Sequence, residues 1–598
     1  MSTPESPKLA DLTLSDLLLK RRSLKRSLST RETLQPIRIA VLGGSTTSEL
    51  VDFATLHLLE SGFCPTFHQT EYGRFEADAI HSPEALIAFR PDLVYIHTSV
   101  LNLQHFPPTN PTEEDFQHAL QTELQRFQHI WQSLDRNLHC TILQNTFELP
   151  PNAILGNLDC TLGQTRFILE LNRAFAQAAA TNPRLLLQDV ASISARTGLN
   201  HWFDAERWHA YKIPTTPQAS IALAQSLAAI VRGLYGATRK VLVLDLDNTL
   251  WGGVIGDDGP AGIQIGRETA LAEAFTTFQQ YCLALRNRGI LLAVCSKNDE
   301  PTARQGFEHP DSILKLEHIS SFHANWNPKP ENLEAIARDL NVGLDALVFA
   351  DDNPAERALV QAQLPAVAVP HIGHDPAHYA RILESHRYFE QVCLSEEDLD
   401  RASLYQQNHQ RTAQAAHFAD YGQYLDSLEM SAEIEPFKPL YLERITQLIN
   451  KTNQFNLTTR RYTLAELQST LADPNTIALY GRLTDRFGDN GLISNVLGDR
   501  QGTTLDIDLW LMSCRVLKRD MESAMLDALV DQARPLGITT LRGLYIPTRK
   551  NAMVATHYPT LGFETIAKYP NGPTTYTLDI TRYTPRNQHI RVLAPVQA

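Results

Sequence analysis

The feature that most constrains this chain is an apolar run that ends in two acidic residues. Val241–Leu244 has the composition of a buried strand, and Asp245 and Asp247 follow it with only Leu246 between them. An unpaired carboxylate inside a core is strongly disfavoured, because the charged group loses its hydration. We therefore expect a cation or a reaction at the end of this strand.

Length and charge limit the kinds of partner. The chain has 598 residues, which is too long for one hydrophobic core and predicts several structural units. Its 53 Lys and Arg against 67 Asp and Glu give a net charge of -14, whereas proteins that bind nucleic acids need a cationic surface. We therefore expect no nucleic-acid partner, and a small molecule or a protein instead.

Cysteine usage and the apolar runs indicate a cellular compartment. Seven cysteines are scattered without any CxxC pair, so neither a disulfide framework nor a zinc site is indicated. The first residues lack the apolar core of a signal peptide, and no later run reaches the roughly 18 apolar residues of a membrane span. These features predict a cytoplasmic protein with no membrane partner.

Strand-like and helix-like patterns divide the chain into domains. Alternation of the two patterns in the first two domains predicts α/β folds with parallel sheets, and the third domain has the mixture of an α+β fold. The predicted limits are an N-terminal arm at 1–35, a first domain at 36–238, a second at 239–395, a helical bridge at 396–429, a third domain at 430–585 and a tail at 586–598.

Four elements of the second domain carry polar residues that can converge. They are "DLDNT" with Asp245, Asp247 and Thr249, "CSKND" with Ser296 and Asn298, "NPKPENL" with Lys329, and "FADDNP" with Asp351 and Asp352. The acidic and serine elements each follow an apolar strand. Because the carboxyl ends of parallel strands meet at one edge of a sheet, we expect these side chains to share one crevice.

Phosphoryl transfer accounts for this combination of residues. Mg²⁺ prefers oxygen ligands, and the predicted ligands are Asp245, Asp247, Asp351 and Asp352. We predict Asp245 as the nucleophile and Asp247 as the acid and base. Ser296 and Lys329 would hold the phosphoryl oxygens. The predicted substrate contacts are Thr249, Asn298, Gly252 and Gly253.

These motifs resemble the haloacid dehalogenase (HAD) superfamily. "LDLDNTLWGGVIGDDG", "LAVCSKND" and "FADDNP" are specifically similar to the FkbH-like proteins, subfamily IIIC of HAD phosphatases. The resemblance implies that the chain dephosphorylates 1,3-bisphosphoglycerate, a phosphorylated three-carbon acid. It further implies that the glyceryl unit is loaded as a thioester onto the phosphopantetheine arm of an acyl carrier protein, for polyketide biosynthesis.

The resemblance draws attention to Cys295 as a candidate acyl carrier, since a thiolate is a good nucleophile and leaving group. Strict strand alternation, however, sends Cys295 and Ser296 to opposite faces of the sheet. Free cysteine is also often a core residue, so a buried strand cysteine is the alternative interpretation.

The first domain resembles SGNH hydrolases in "VLGGSTTSEL", although Gly44 stands where that family has aspartate. The resemblance implies Ser45 as nucleophile and His209 as base, with Asp204 to orient the histidine. Gly73 and Asn102 would be the oxyanion donors. The alternative is a degenerate fold used as a scaffold.

The third domain resembles the GNAT acetyltransferase fold in "DIDLWLMSCRVLKRDMESAML" and "NAMVATHYPTLGFE". Its pyrophosphate loop needs small residues, whereas this chain has Lys518 and Asp520 there, after Arg515. The domain could instead meet a phosphopantetheine arm, with Cys514 as a second acyl site. We expect Tyr558 and Phe563 to be core aromatics.

Two other functions remain open from the sequence. The first is a plain phosphatase that acts on a soluble phosphorylated metabolite. The second is a scaffold or acyl-modifying protein, in which the outer domains act and the central domain only binds metal.

Overall fold

The structure is a computed structural model of the chain. It describes residues 9, 12–31, 34–138, 140–394, 399, 401, 404, 405, 411, 418, 420–513, 516–548, 550–569 and 572–594. Most of the predicted bridge at 396–429 lies outside these residues, as do Cys514 and Arg515. The chain forms two compact units, Met1–Gly233 and Leu234–Ala598. All of the predicted domain limits remain predictions.

A five-stranded parallel sheet forms the centre of the first unit. Its strands are β1 (Gln35–Gly43), β2 (Phe63–Gln69), β3 (Leu93–His97), β4 (Thr141–Asn145) and β5 (Leu185–Gln188), in the order β2-β1-β3-β4-β5. All five residues of β3 are buried, as expected of a central parallel strand that is covered on both faces.

Ten helices accompany this sheet among the described residues. They are α1 (Leu14–Ser29), α2 (Ser48–Glu60), α3 (Phe75–Ile80), α4 (Glu84–Phe89), α5 (Glu113–Leu138), α6 (Asp159–Leu162), α7 (Gln164–Thr181), α8 (Val190–Thr197), α9 (Ala205–Tyr211) and α10 (Pro217–Leu234). The apolar faces of α5 and α7 pack on the sheet through an aromatic cluster that includes Phe127, Trp131 and Phe175.

The second unit contains a smaller parallel sheet. Its strands are β6 (Val241–Leu244), β7 (Leu291–Ser296), β8 (Ile319–Ala324) and β9 (Leu347–Ala350), in the order β8-β7-β6-β9. β8 was not predicted from the sequence. Every residue of β6, β7 and β9 is buried, so the apolar run before Asp245 is a strand inside the sheet.

Six helices accompany this sheet among the described residues. They are α11 (Ile255–Asp258), α12 (Ala270–Asn287), α13 (Glu300–Gln305), α14 (Lys329–Asp339), α15 (Pro354–Gln363) and α16 (Tyr379–Ser385). The side chains of Thr269, Asp299 and Asn353 cap α12, α13 and α15. Each cap satisfies an orphan backbone amide and fixes where its helix begins.

A mostly antiparallel sheet of eight strands follows in the same unit. They are β10 (Met430–Pro436), β11 (Thr476–Asp485), β12 (Gly488–Gln501), β13 (Thr504–Met512), β14 (Thr540–Tyr545), β15 (Glu564–Lys568), β16 (Thr574–Asp579) and β17 (Ile590–Val592), in the order β15-β16-β14-β13-β12-β11-β10-β17. The helices described with it are α17 (Tyr421–Ser427), α18 (Leu442–Lys451), α19 (Leu464–Leu471), α20 (Met521–Ala533) and α21 (His557–Thr560).

The predicted mixed α/β fold with parallel sheets and more than one structural unit is confirmed. The SGNH-like type of the first domain remains a prediction. In the described part of the chain, we find no helix with the length and hydropathy that a membrane span requires.

Candidate functional site

Three carboxylates and a lysine meet at the carboxyl edge of the smaller parallel sheet. Asp245 follows β6, Asp351 and Asp352 follow β9, and Lys329 is the first residue of α14. One carboxylate oxygen from each aspartate lies within 4.8 Å of the other two. Residues that are about 100 positions apart in sequence are therefore brought together, as the strand pattern predicts.

Lys329 lies inside this cluster and is only 2% exposed. Its Nζ lies 2.9 Å from Asp245 Oδ1 and 2.5 Å from Asp351 Oδ2. Burial alone would lower the pKa of Lys329, but the neighbouring charges of Asp245 and Asp351 outweigh burial and raise it. Lys329 is therefore a permanent cation.

One lysine does not balance three carboxylates. Burial, reinforced by the charge of Asp245, raises the pKa of Asp351 to about 6, and the same two causes raise the pKa of Asp352. Asp245 Oδ1 is buried and accepts no aligned hydrogen bond, although it forms the ion pair with Lys329. An all-oxygen set with excess negative charge and an orphaned oxygen fits a hard divalent cation.

Asp247 lies outside that cluster and is held by three donors. Trp251 Nε1 and the Ile255 amide donate to its Oδ1 over 3.0 and 3.1 Å, and Asn298 Nδ2 donates to its Oδ2 over 2.9 Å. Burial raises the pKa of Asp247. Its fixed, partly buried carboxyl group has the environment of an acid and base, and its role as a metal ligand remains a prediction.

The residues predicted to contact substrate have partners within the protein. Asn298 holds Asp247, and Thr249 Oγ1 donates to Asp352 Oδ1 over 3.4 Å and accepts from the Asp352 amide over 3.2 Å. A Cβ at Gly252 would lie 2.9 Å from the Phe275 ring, and one at Gly253 would lie 2.5 Å from Asp258. These interactions shape the loop around the acidic residues.

Ser296 ends β7 at the same edge of the sheet and is 2% exposed. Its backbone carbonyl accepts from the Asn325 amide over 3.1 Å. Within the described residues, no hydrogen bond of its hydroxyl group is found. The hydroxyl is therefore free to donate to a ligand, as predicted for a residue that holds a phosphoryl group.

Cys295 lies on the opposite face of the sheet from Ser296. It packs in the core with Val243, Leu333 and Phe349, and its Sγ lies 3.8 Å from the carbonyl oxygen of Lys329. Burial raises the pKa of the Cys295 thiol, so the thiolate form is disfavoured. The environment is that of the buried strand cysteine considered in the sequence analysis.

Arg357 and Tyr379 also support the site, although neither was predicted from the sequence. The buried Arg357 guanidinium donates through Nη1 to the carbonyl oxygens of Asp351 and Asp352, over 2.6 Å each. Tyr379 OH donates to the carbonyl oxygen of Asn248 over 3.1 Å. Arg357 lies six residues after Asp351 on α15, whereas Tyr379 reaches the site only through tertiary packing.

The residues predicted for a hydrolase site in the first unit are not joined into a triad. The side chain of Asp204 caps α9 by accepting from the Arg207 amide over 3.0 Å, and His209 is exposed on that helix. Neither Asp204 nor Ser45 forms a hydrogen bond with His209 in the part of the chain that the structure describes. Ser45 is buried after β1.

Asn102 and Gly73, the two predicted oxyanion donors, lie in a loop contact and in a turn. Asn102 Nδ2 donates to the Gly44 carbonyl over 2.8 Å, and a Cβ at Gly44 would lie 2.3 Å from Asn102 Oδ1. Glycine at position 44 is therefore required by this contact. Gly73 has a φ of 74° and has open space where a Cβ would lie, so it serves a turn.

In the third predicted domain, Asp520 binds to the backbone of the chain near its C-terminal end. Its Oδ2 accepts from the amides of Gln588 and His589, over 2.8 and 3.3 Å. Lys518 and Asp520 both adopt a positive φ. Tyr558 and Phe563 are buried in the apolar core, as expected.

The fold and the site define an α/β protein with an acidic cluster and a buried lysine at the carboxyl edge of a parallel sheet. The N-terminal part of the protein BF1531 from Bacteroides fragilis, which contains a phosphatase domain and was crystallised in complex with Mg, is 30% identical to this chain with a TM-score of 0.58. The match covers 62% of this chain and 99% of that chain. This chain belongs to the same family as BF1531.

Acetyltransferase structures match a smaller part of this chain. The ribosomal-protein-S18-alanine N-acetyltransferase from Escherichia coli is 14% identical, with a TM-score of 0.21, and the match covers 26% of this chain and 96% of that one. The GNAT domain of S. lividans PAT is 15% identical at the same TM-score, with 25% and 90% covered. These scores are too low to assign a fold. No protein-family model and no curated protein matches the sequence.

Proposed function

We propose that this chain is a Mg²⁺-dependent phosphoryl-transfer enzyme whose nucleophile is Asp245. The observation that carries the proposal is the meeting of Asp245, Asp351 and Asp352 around Lys329 at one edge of a parallel sheet. The family shared with BF1531, a protein crystallised with Mg, supports the same chemistry.

Asp245, Asp351 and Asp352 would hold the metal ion. Bound Mg²⁺ supplies positive charge that neutralises the phosphoryl oxygens. Lys329 adds a fixed cation beside Asp245, which lowers the repulsion between that carboxylate and an incoming phosphate. The free hydroxyl of Ser296 donates to a phosphoryl oxygen from the neighbouring strand.

The geometry of Asp247 indicates which of its oxygens exchanges a proton. Oδ1 already accepts two hydrogen bonds, from Trp251 and from the Ile255 amide, and these occupy both of its lone pairs. Oδ2 accepts one, from Asn298, and has one lone pair left. Oδ2 is therefore the atom that gives a proton to the leaving oxygen and later takes one from water.

The Asp245→Asn variant tests the nucleophile. We expect it to remain folded and to lower phosphate release from an acyl phosphate or phosphomonoester by more than about a thousandfold. Asp257→Asn is the matched control, because Asp257 is exposed on α11, and it should change the rate by less than about twofold. Full activity of Asp245→Asn, or full activity of the wild type in EDTA, contradicts the proposal.

We further propose that the substrate is a phosphorylated three-carbon acid such as 1,3-bisphosphoglycerate, and that its glyceryl unit is transferred to the thiol of an acyl carrier protein. The FkbH-like motifs support this step. Two different bonds must then break. Attack of Asp245 on phosphorus breaks the P–O bond at C3, whereas attack of the thiolate on C1 breaks the C–O bond and releases phosphate with its electron pair.

Oxygen-18 water separates these two events. Hydrolysis of an aspartyl phosphate places one solvent oxygen in the phosphate, whereas thiol attack on carbon places none. We expect unlabelled phosphate in amounts equal to the thioester, detected by mass spectrometry. Phosphate that is labelled throughout, with no thioester, would instead identify a plain phosphatase.

The position of Cys295 makes that simpler phosphatase the second candidate function. Because the Cys295 thiol is buried and its pKa is raised, transfer through it is disfavoured. If the acyl group passes directly to the external thiol, Cys295→Ala should keep both phosphate release and thioester formation, whereas a plain phosphatase and its Cys295→Ala variant should both release phosphate without any thioester. If Cys295→Ala still released phosphate but no longer formed the thioester, Cys295 would be the acyl carrier.

A further inference from the structure

Trp326 is an exposed aromatic side chain beside the proposed site. The structure describes all six tryptophans, and Trp326, which is 75% exposed, is the one among them that is largely in solvent. It lies three residues before Lys329, a separation of at most about 11 Å of extended chain. Asn325, its neighbour, directly follows β8 and bonds to Ser296, so Trp326 lies at the same carboxyl edge of the sheet as Asp245, and we call this edge the rim.

The loop that carries Trp326 is firmly held. The Asn325 amide donates to the Ser296 carbonyl over 3.1 Å, and the side chains of Asn325 and Asn332 exchange two hydrogen bonds of 3.2 and 2.9 Å. Asn325 Oδ1 also accepts from the Asn327 amide over 3.0 Å. Because the backbone on both sides is fixed, the indole is presented at a defined position.

Within the second unit, the eight-stranded sheet β10–β17 with helices α17–α21, which we call the C-terminal sheet domain, contacts the amino-terminal ends of the strands of the smaller parallel sheet. Lys550 Nζ lies 2.5 Å from Asp345 Oδ2, and Asp345 precedes β9. Gly236, which precedes β6, packs against Lys451 at the end of α18. These contacts lie at the amino ends of the strands, so they leave the rim at Trp326 accessible.

The proposed acyl transfer uses a thiol that arrives from outside the chain. Cys295, the cysteine nearest in sequence to the site residues, is buried on the other face of the sheet, and its Sγ faces the Lys329 carbonyl. An external thiol at the end of a long, flexible arm, whose methylene and flat amide groups can pack on a ring, must cross the rim to reach the crevice. An exposed indole ring offers such an arm a large rigid contact surface.

We infer that Trp326 is the residue that recognises the acceptor, by packing against a thiol-ended pantetheine arm. The inference rests on the proposed acyl transfer. In that step the thiol loses its proton to solvent, the thiolate sulfur bonds to the carbonyl carbon, and the carbon–oxygen bond to phosphate breaks. Phosphate leaves with the electron pair, so no oxidant or further reactant is needed.

Steady-state kinetics with pantetheine as the acceptor test the inference. We expect Trp326→Ala to raise the KM for pantetheine by at least about tenfold, while kcat at saturation stays within about twofold. Trp326→Phe should fall between the wild type and the alanine variant. Tyr569→Ala, which removes a 60% exposed aromatic side chain from the C-terminal sheet domain, should match the wild type.

A short thiol provides a second control. Cysteamine has no arm that could reach the ring, so its KM should be the same in the wild type and in Trp326→Ala. An equal rise of KM for cysteamine and pantetheine, or no rise for either, overturns the role of Trp326.

Fluorescence separates this inference from the proposed function. Iodide should quench Trp326 in the free protein, and pantetheine should protect it. Protection without any thioester in the wild type would contradict the proposed acyl transfer and support the contact. The contact would be contradicted if the wild type forms the thioester, pantetheine does not protect Trp326 from iodide, and the KM for pantetheine is the same in the wild type and in Trp326→Ala. The proposed function would then stand.

Discussion

Glu148 is a buried carboxylic acid in the first unit, after β4, and it is remote in sequence from the acidic cluster. Its Oε1 accepts from the Val100 amide over 3.3 Å, and burial raises the pKa of Glu148 to about 7. A carboxyl group that stays protonated to near neutral pH makes the folded state bind a proton that the unfolded chain has already lost.

This predicts how stability changes with pH. The unfolded chain releases the Glu148 proton near its ordinary pKa of 4.5 and the folded chain near 7, so the free energy of unfolding falls as pH rises through that window. The total loss is about 3 kcal/mol. Glu148→Gln should remove this loss and be more stable than the wild type at pH 8. Denaturant titrations of both proteins at pH 4 and pH 8 measure the free energy of unfolding. The same pH dependence in the wild type and in Glu148→Gln would contradict the prediction.

At the scale of elements, the turn after α13 packs on the loop after β6. A Cβ at Gly306 would lie 2.5 Å from the ring of Trp251, which is fully buried and donates its indole N–H to Asp247. The contact therefore couples the end of a helix to the orientation of the proposed acid and base.

Gly306→Ala should accordingly affect both stability and catalysis. Because the Trp251 ring has to move, we expect a loss of about 1–3 kcal/mol in the free energy of unfolding and a lower kcat. Gly256→Ala is the matched control, since its Cβ would meet Asn298 only at 3.9 Å. Denaturant unfolding and phosphate release measure the two effects. Wild-type kcat in Gly306→Ala would show that Trp251 does not position Asp247.

The sequence was a good guide to elements and a poorer one to contacts. The apolar runs correctly predicted β6, β7 and β9, because strands buried on both faces read as continuous hydrophobic stretches. β8 was missed, since "ISSFHA" alternates only weakly and has two serines. Thr249 and Asn298 remain predicted substrate contacts, and their hydrogen bonds to Asp352 and Asp247 were not predicted, because they depend on packing that local patterns do not encode.

At the scale of the whole molecule, the second unit depends on a close backbone contact. Gly236 has a φ of 64°, and a Cβ there would lie 2.5 Å from Lys451 Cα at the end of α18. The ion pair between Lys550 and Asp345 joins the same two parts of the unit. Its side chains are about half exposed, so we expect the packed glycine to matter more than this pair.

Gly236→Ala should therefore weaken the attachment of the C-terminal sheet domain. We expect its unfolding transition in calorimetry to move to lower temperature, because left-handed strain adds to a clash with backbone. Gly502→Ala is the control: Gly502 has a φ of 65° with open space around it, so it carries the strain alone. Equal shifts in both variants would mean that the Lys451 contact contributes nothing.

The sequence by itself determined which strands exist and that acidic residues follow them, because burial and chain direction fix the carboxyl edge of a parallel sheet. It also determined that Asp245, Asp351 and Asp352 could converge. Only the tertiary structure decided that Asp247 is held by three donors, that Lys329 lies between two carboxylates and that Cys295 is enclosed in the core. The physical reason is that burial and charge depend on neighbours distant in the chain, which composition and periodicity do not specify.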